Sequence, residues 1–119
     1  VSAPFGPLTE AQWHHLTETS VLQRPDGRWA FRYDPRIAEP FKAAFAGQEI
    51  DLWPLYERIA CPTLVVRGAE TDLLTRDTWQ RMGTCGPRAK LAEIPGVGHA
   101  PMFMSDDQIA VVRDFLLSA

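Results

Sequence analysis

A chain of 119 residues with 45% hydrophobic and 23% charged side chains is long enough for one modest core and ordinary for a soluble globular protein. Its formal net charge of −3 argues against the clustered basic face of a nucleic-acid binder. No apolar run approaches the roughly 18 residues of a membrane span, and no basic start with an apolar core marks a signal peptide. The expectation is a cytoplasmic protein with neither nucleic acid nor membrane as partner. The chain begins at Val1 rather than methionine, as one processed, nicked or cut from something longer would. Cys61 and Cys85 stand far apart and neither belongs to a CxxC pair, so two reduced thiols are expected rather than a disulfide framework.

Residues 1–60 are rich in helix signals and aromatics. Thr9 and Gln12 have the spacing of a capping box and open a helix over about Glu10 to Thr19, with Trp13 and Leu16 on one face. Pro25-Asp26-Gly27 reads as a turn. Trp29, Phe31 and Tyr33 come next at period two, as on one face of a strand. Asp34 then serves as N-cap and Pro35 as first residue of a second helix, which Gly47 ends. Asp51 starts a third, short helix, DLWPLYERI, that tolerates Pro54 in its first turn.

From Cys61 the pattern changes. CPTLVVRG is an apolar, β-branched run bounded by Pro62 and Gly68 and reads as a buried strand. Thr75 caps a helix that ends near Gly83, and Ala89–Ile94 is a second strand. Ser105 and Gln108 repeat the capping-box spacing and open a helix to about Leu117, with Ile109, Val112, Phe115 and Leu116 on one face. The order strand–helix–strand–helix is the grammar of a parallel α/β sheet. In such sheets function gathers in the loops beyond the carboxyl ends of the strands.

Two such loops stand out: GAETD, ending in Asp72, and PGVGH, ending in His99. A right-handed crossover would put both on the same sheet edge. There a carboxylate could hold the imidazole in one tautomer and stabilise the imidazolium formed during turnover. Asp72 is the candidate acid and His99 the candidate base, with Glu70 as the rival carboxylate. No metal is expected: His14 and His15 are adjacent and point about 100° apart on a helix, and the single i, i+4 pair Glu10–His14 is not a site. RPDGR lacks the successive glycines of a phosphate cradle, and GVGHAP is not a dinucleotide fingerprint.

PTLVVRGAETD from Pro62 to Asp72, IPGVGHAP over residues 94–101 and the final helix ending in FLLS together resemble the C-terminal part of the α/β-hydrolase superfamily. The resemblance implies that Asp72 and His99 are two members of a Ser-Asp-His triad, delivered by a Gly-x-x-x-Asp strand end and a Gly-x-Gly-His turn. The departure is equally clear. No G-x-S-x-G occurs, and Ser2, Ser20, Ser105 and Ser118 all lie outside any glycine-flanked elbow. The family's whole fold needs roughly twice this length.

The resemblance therefore implies an α/β fold class and a C-terminal fragment. Residues 1–60 would be a helical cap or lid, and residues 61–119 the last strand–helix–strand–helix of the core. The parent would be a carboxylic-ester hydrolase for a small apolar ester-like substrate, with its serine in a missing N-terminal segment and no cofactor. Parents with an aspartate nucleophile (dehalogenases, epoxide hydrolases), C–C bond hydrolases and lyases are the chemical alternatives. A different alternative is an inert fragment that pairs through open strand edges with the N-terminal half or a second copy.

Overall fold

The computed structural model describes residues 5–44 and 50–118, and Gly47 lies outside them. The chain divides into two compact units: Thr9–Asp51, and Val1–Leu8 together with Leu52–Ala119. The division falls between Asp51 and Leu52.

The Thr9–Asp51 unit opens with α1, Glu10–Ser20. Both halves of its capping box form: the Gln12 N–H donates to the Thr9 hydroxyl (3.3 Å), and the Gln12 amide oxygen accepts from the Thr9 N–H (2.8 Å). The chain continues into β1, Val21–Gln23, which pairs antiparallel with β2, Trp29–Phe31. The period-two aromatics do mark a strand. Its partner β1 goes unannounced, because three residues carry no readable alternation. The turn sets the pairing: the Asp26 carboxylate accepts from the Arg28 N–H (3.0 Å) and Nε (2.9 Å), which holds its pKa below the ordinary carboxylate value. Gly27 completes the turn at φ +79°, a conformation that favours glycine.

Tyr33 lies beyond β2 and stacks on Phe31 with ring centroids 5.2 Å apart. Asp34 caps as expected, accepting from the Arg36 N–H (3.0 Å). The chain then forms a 3-10 turn, Pro35–Ala38, before α2 begins at Glu39 and runs to Ala44. Tight turns of this kind are frequent at helix starts.

In the second unit, α3 is a single turn, Trp53–Tyr56. Asp51 is not its N-cap. Leu52 holds that position with no side-chain cap, and its carbonyl accepts from the Leu55 and Tyr56 N–H groups. The core elements are β3 (Leu64–Gly68), α4 (Arg76–Met82), β4 (Lys90–Ile94) and α5 (Asp106–Ser118). β3 and β4 pair in parallel from Leu64↔Lys90 to Gly68↔Ile94. The Thr75 hydroxyl caps α4 by accepting from the Thr78 N–H, and Gly83 closes it. α4 is tied to the sheet where the Trp79 Nε1–H donates to the Val65 carbonyl (3.3 Å). α3 is tied to α4 where the Tyr56 hydroxyl donates to the Met82 carbonyl (2.7 Å) and the Arg81 guanidinium sits 3.8 Å over the Trp53 ring.

The Ser105–Gln108 spacing resolves differently from the expected box. The Gln108 amide oxygen accepts from the Phe103 N–H (3.0 Å), and Phe103 itself has φ +52°. The Ser105 hydroxyl bonds the Asp107 carboxylate and keeps that group's pKa below the ordinary value. The left-handed turn at Phe103 brings its N–H within reach of the first turn of α5, and Gln108 takes it.

Among the described residues the buried hydrophobics are Ala89, Ile94 and Val97. Leu64, Val65 and Val66 are only half-buried, less than the expected buried strand, because a two-stranded sheet has one neighbour per strand. Leu116 and Leu117 on α5 are exposed, Leu117 at 81%. Among the described residues no helix is long and apolar enough to cross a membrane.

Replacing Tyr56 by Phe removes the bond to the Met82 carbonyl and should cost about 1 kcal/mol. Urea denaturation of the complete protein checks this; an unchanged midpoint would mean the hydroxyl contributes nothing to holding α3 on α4.

Candidate active site

β3 and β4 end side by side, and their pairing continues past the strands. The Ala69 N–H donates to the Ile94 carbonyl (2.9 Å), and the Glu70 N–H donates to the Val97 carbonyl (3.0 Å). The loop that carries Asp72 is thereby held against the loop that carries His99. Gly96 turns the second loop at φ +68°. Val97, 2% exposed, anchors it in the core beside buried Gly98.

The approach is close enough to require glycine. A Cβ built on Gly68 would lie 2.9 Å from the Gly98 carbonyl carbon and closer still to the Val97 and Gly98 oxygens. Those neighbours are backbone and cannot swing aside as a flexible side chain would.

Within this frame the loop of Asp72 is organised by Thr71. Its hydroxyl accepts from the Leu73 N–H (3.2 Å) and the Leu74 N–H (3.5 Å). The same oxygen lies 3.4 Å from Nδ1 of His99. Asp72 is the next residue in the loop. Asp72, Glu70 and His99 are all exposed. No hydrogen bond joins Asp72 to His99 among the described residues; the structure brings their loops together, and Thr71 makes the contact. Glu70 is engaged with the second loop through its backbone.

Beneath both loops lies an ion pair unforeseen from the sequence. Arg67 is buried (6% exposed), and its Nη1 donates to Glu93 Oε2 at 2.6 Å. Glu93 Oε1 accepts from Arg76 Nη2 at 2.7 Å. A charged residue in the otherwise apolar LVVRG run was the available signal, since a buried charge needs a partner. Glu93 stands one residue before the end of β4 as Arg67 does before the end of β3, and a parallel register makes them face each other.

Among the described residues no group of three or more His, Cys, Asp or Glu is placed to hold a metal ion. Both cysteines are free thiols, Cys61 exposed and Cys85 half-buried.

No protein-family model matches the chain. It is 41% identical over 126 aligned positions to a 3-hydroxybutyrate-oligomer hydrolase of Cupriavidus necator. All of this chain is matched, but it spans only 43% of that relative. Among solved structures, an α/β hydrolase from Novosphingobium aromaticivorans superposes with a TM-score of 0.80 at 32% identity. That match covers 99% of this chain and 42% of the other. A hydrolase candidate from Rickettsia typhi gives 0.82 at 32% identity, covering 98% and 38%.

The chain is the C-terminal part of an α/β-hydrolase fold. In that α/β-hydrolase part, Gly68 ends the strand before the acid loop and Gly98 precedes the histidine. Their close packing makes Gly68→Ala overpacked. It should cost about 1–3 kcal/mol. A thermal melt of the complete protein equal to the parent's would mean the two loops separate more easily than this contact allows.

Proposed function

We propose that the complete protein is a carboxylic-ester hydrolase in which this chain supplies the acid and the base. The carrying observation is the seating of the acid loop against Nδ1 of His99, with the Thr71 oxygen 3.4 Å away. A loop that meets Nδ1 leaves Nε2 to face a nucleophile, which is the division of labour that general-base catalysis by histidine needs. Asp72 is the neighbouring carboxylate in that loop.

In this reading a serine outside the chain attacks the acyl carbon. His99 takes its proton through Nε2, then returns it to the departing alkoxide. Asp72 keeps the proton on Nδ1 and stabilises the imidazolium between those steps. The Thr9–Asp51 unit is the cap in this reading, and its exposed Trp29, Phe31 and Tyr33 give it an apolar surface of its own. The name of the Cupriavidus relative makes short 3-hydroxybutyrate esters the first substrates to try.

A second reading is that the chain alone is inert and pairs with another chain. The apolar groove of Phe103, Ile109, Val112, Leu116 and Leu117, together with a sheet of two strands, favours it. Intact-mass analysis and sedimentation of the purified chain separate the two: a second polypeptide or a dimer supports pairing, and a stable monomer opposes it.

In the complete protein, His99→Ala should abolish nearly all hydrolysis of p-nitrophenyl butyrate, and Asp72→Asn should lower kcat by about 10⁴-fold through the wrong tautomer. Parental rates in either variant, with the fold intact by circular dichroism, would remove that residue from the triad.

A further inference from the structure

We infer that Arg67 is the positioning residue for the acid loop, an inference that rests on the roles proposed above for Asp72 and His99. Its guanidinium makes three bonds of two kinds. Nη1 donates to the Glu93 carboxylate (2.6 Å), which neutralises the charge. Nη1 also donates to the Ala69 carbonyl (3.2 Å), and Nε donates to the Leu74 carbonyl (2.9 Å). Ala69 and Leu74 are the two feet of the loop whose middle carries Thr71 and Asp72. One planar, rigid group therefore fixes both ends of that loop at a set separation.

The pairing with Glu93 extends the reach of this clamp. Glu93 lies on β4, opposite Arg67 in register, and β4 leads directly into the loop of His99. Arg76, from the first turn of α4, holds the other oxygen of Glu93 at 2.7 Å. The carboxylate is thus fixed from two sides, and the guanidinium is fixed by it. Both loops, acid and base, are referred to one charge pair under the sheet edge.

A purely structural pair would look different in one respect. An apolar pair of similar volume fills such a space about as well as a buried ion pair does. No apolar side chain can donate to the carbonyls at the two feet of the loop. Lysine can keep the charge beside Glu93, but it lacks the forked donors.

The test uses the complete protein and p-nitrophenyl butyrate. Arg67→Met combined with Glu93→Met removes both charges of the pair together, so the buried one is not left unpaired. Arg67→Lys keeps the ion pair and loses the fork. Both variants should melt near the parent temperature, keep KM nearly unchanged and lose about 10²-fold in kcat, the scale of a 1 Å misplacement at the reacting groups. A folded variant of either kind with the parent's kcat would overturn the inference. Should the double variant fail to fold, Arg67→Lys decides alone. Parental rates in His99→Ala or Asp72→Asn would overturn the reading of the site and this inference with it. Losses there, with parental rates in the Arg67 variants, would overturn this inference alone.

Discussion

Two backbone hydrogen bonds beyond the ends of β3 and β4 carry the candidate site. They run from Ala69 to Ile94 and from Glu70 to Val97, and they continue the parallel ladder into what would otherwise be two independent loops. Such an extension requires the chains to approach at backbone distance. Gly68 and Gly98 supply that approach, the first by having no Cβ at the point of contact. The glycine of the Gly-x-x-x-Asp pattern is therefore a packing requirement. It tells little about chemistry by itself, and much about how the two loops meet.

Electrostatics reinforces the same edge. A buried guanidinium costs desolvation energy that its carboxylate partner roughly offsets, so the Arg67–Glu93 pair is weak evidence for stability. Its geometry has more content than its energy. The pair joins facing residues on the two strands that deliver the acid loop and the histidine. A one-residue slip of β4 against β3 would part these charges and leave the buried Arg67 guanidinium without its carboxylate. The pair thus works against any register except the one that aligns both loops.

The fold was legible wherever local chemistry decided the outcome. Thr9 with Gln12, and Thr75 as an N-cap, are side-chain caps, and both formed where the residues indicated. The apolar run before Gly68 and the AKLAEI segment became the two parallel strands. Where the outcome depended on partners, the residues were silent. β1 has no pattern of its own and exists because the Asp26 turn folds it back on β2. Gln108 had the spacing for Ser105 but bonded Phe103, whose backbone turn no residue type announces. At the site, the alignment of two loops came from parallel strands. The intervening Thr71 did not, because a threonine between a glutamate and an aspartate reads as ordinary loop. Arg67 and Glu93 were visible as charges, yet their pairing needed the register.

The thin hydrophobic interior has a calorimetric consequence. The heat-capacity change of unfolding grows with the apolar surface newly exposed to water. With Leu117 and Leu116 already wet and Leu64, Val65 and Val66 half-covered, the described residues have little apolar surface left to expose. Their unfolding would carry a small heat-capacity increment and a low enthalpy, hence a broad and weakly cooperative transition. Were a partner to cover the α5 groove, the same residues would melt in a sharper transition. The width of the endotherm, more than its midpoint, would then report whether the sheet is complete.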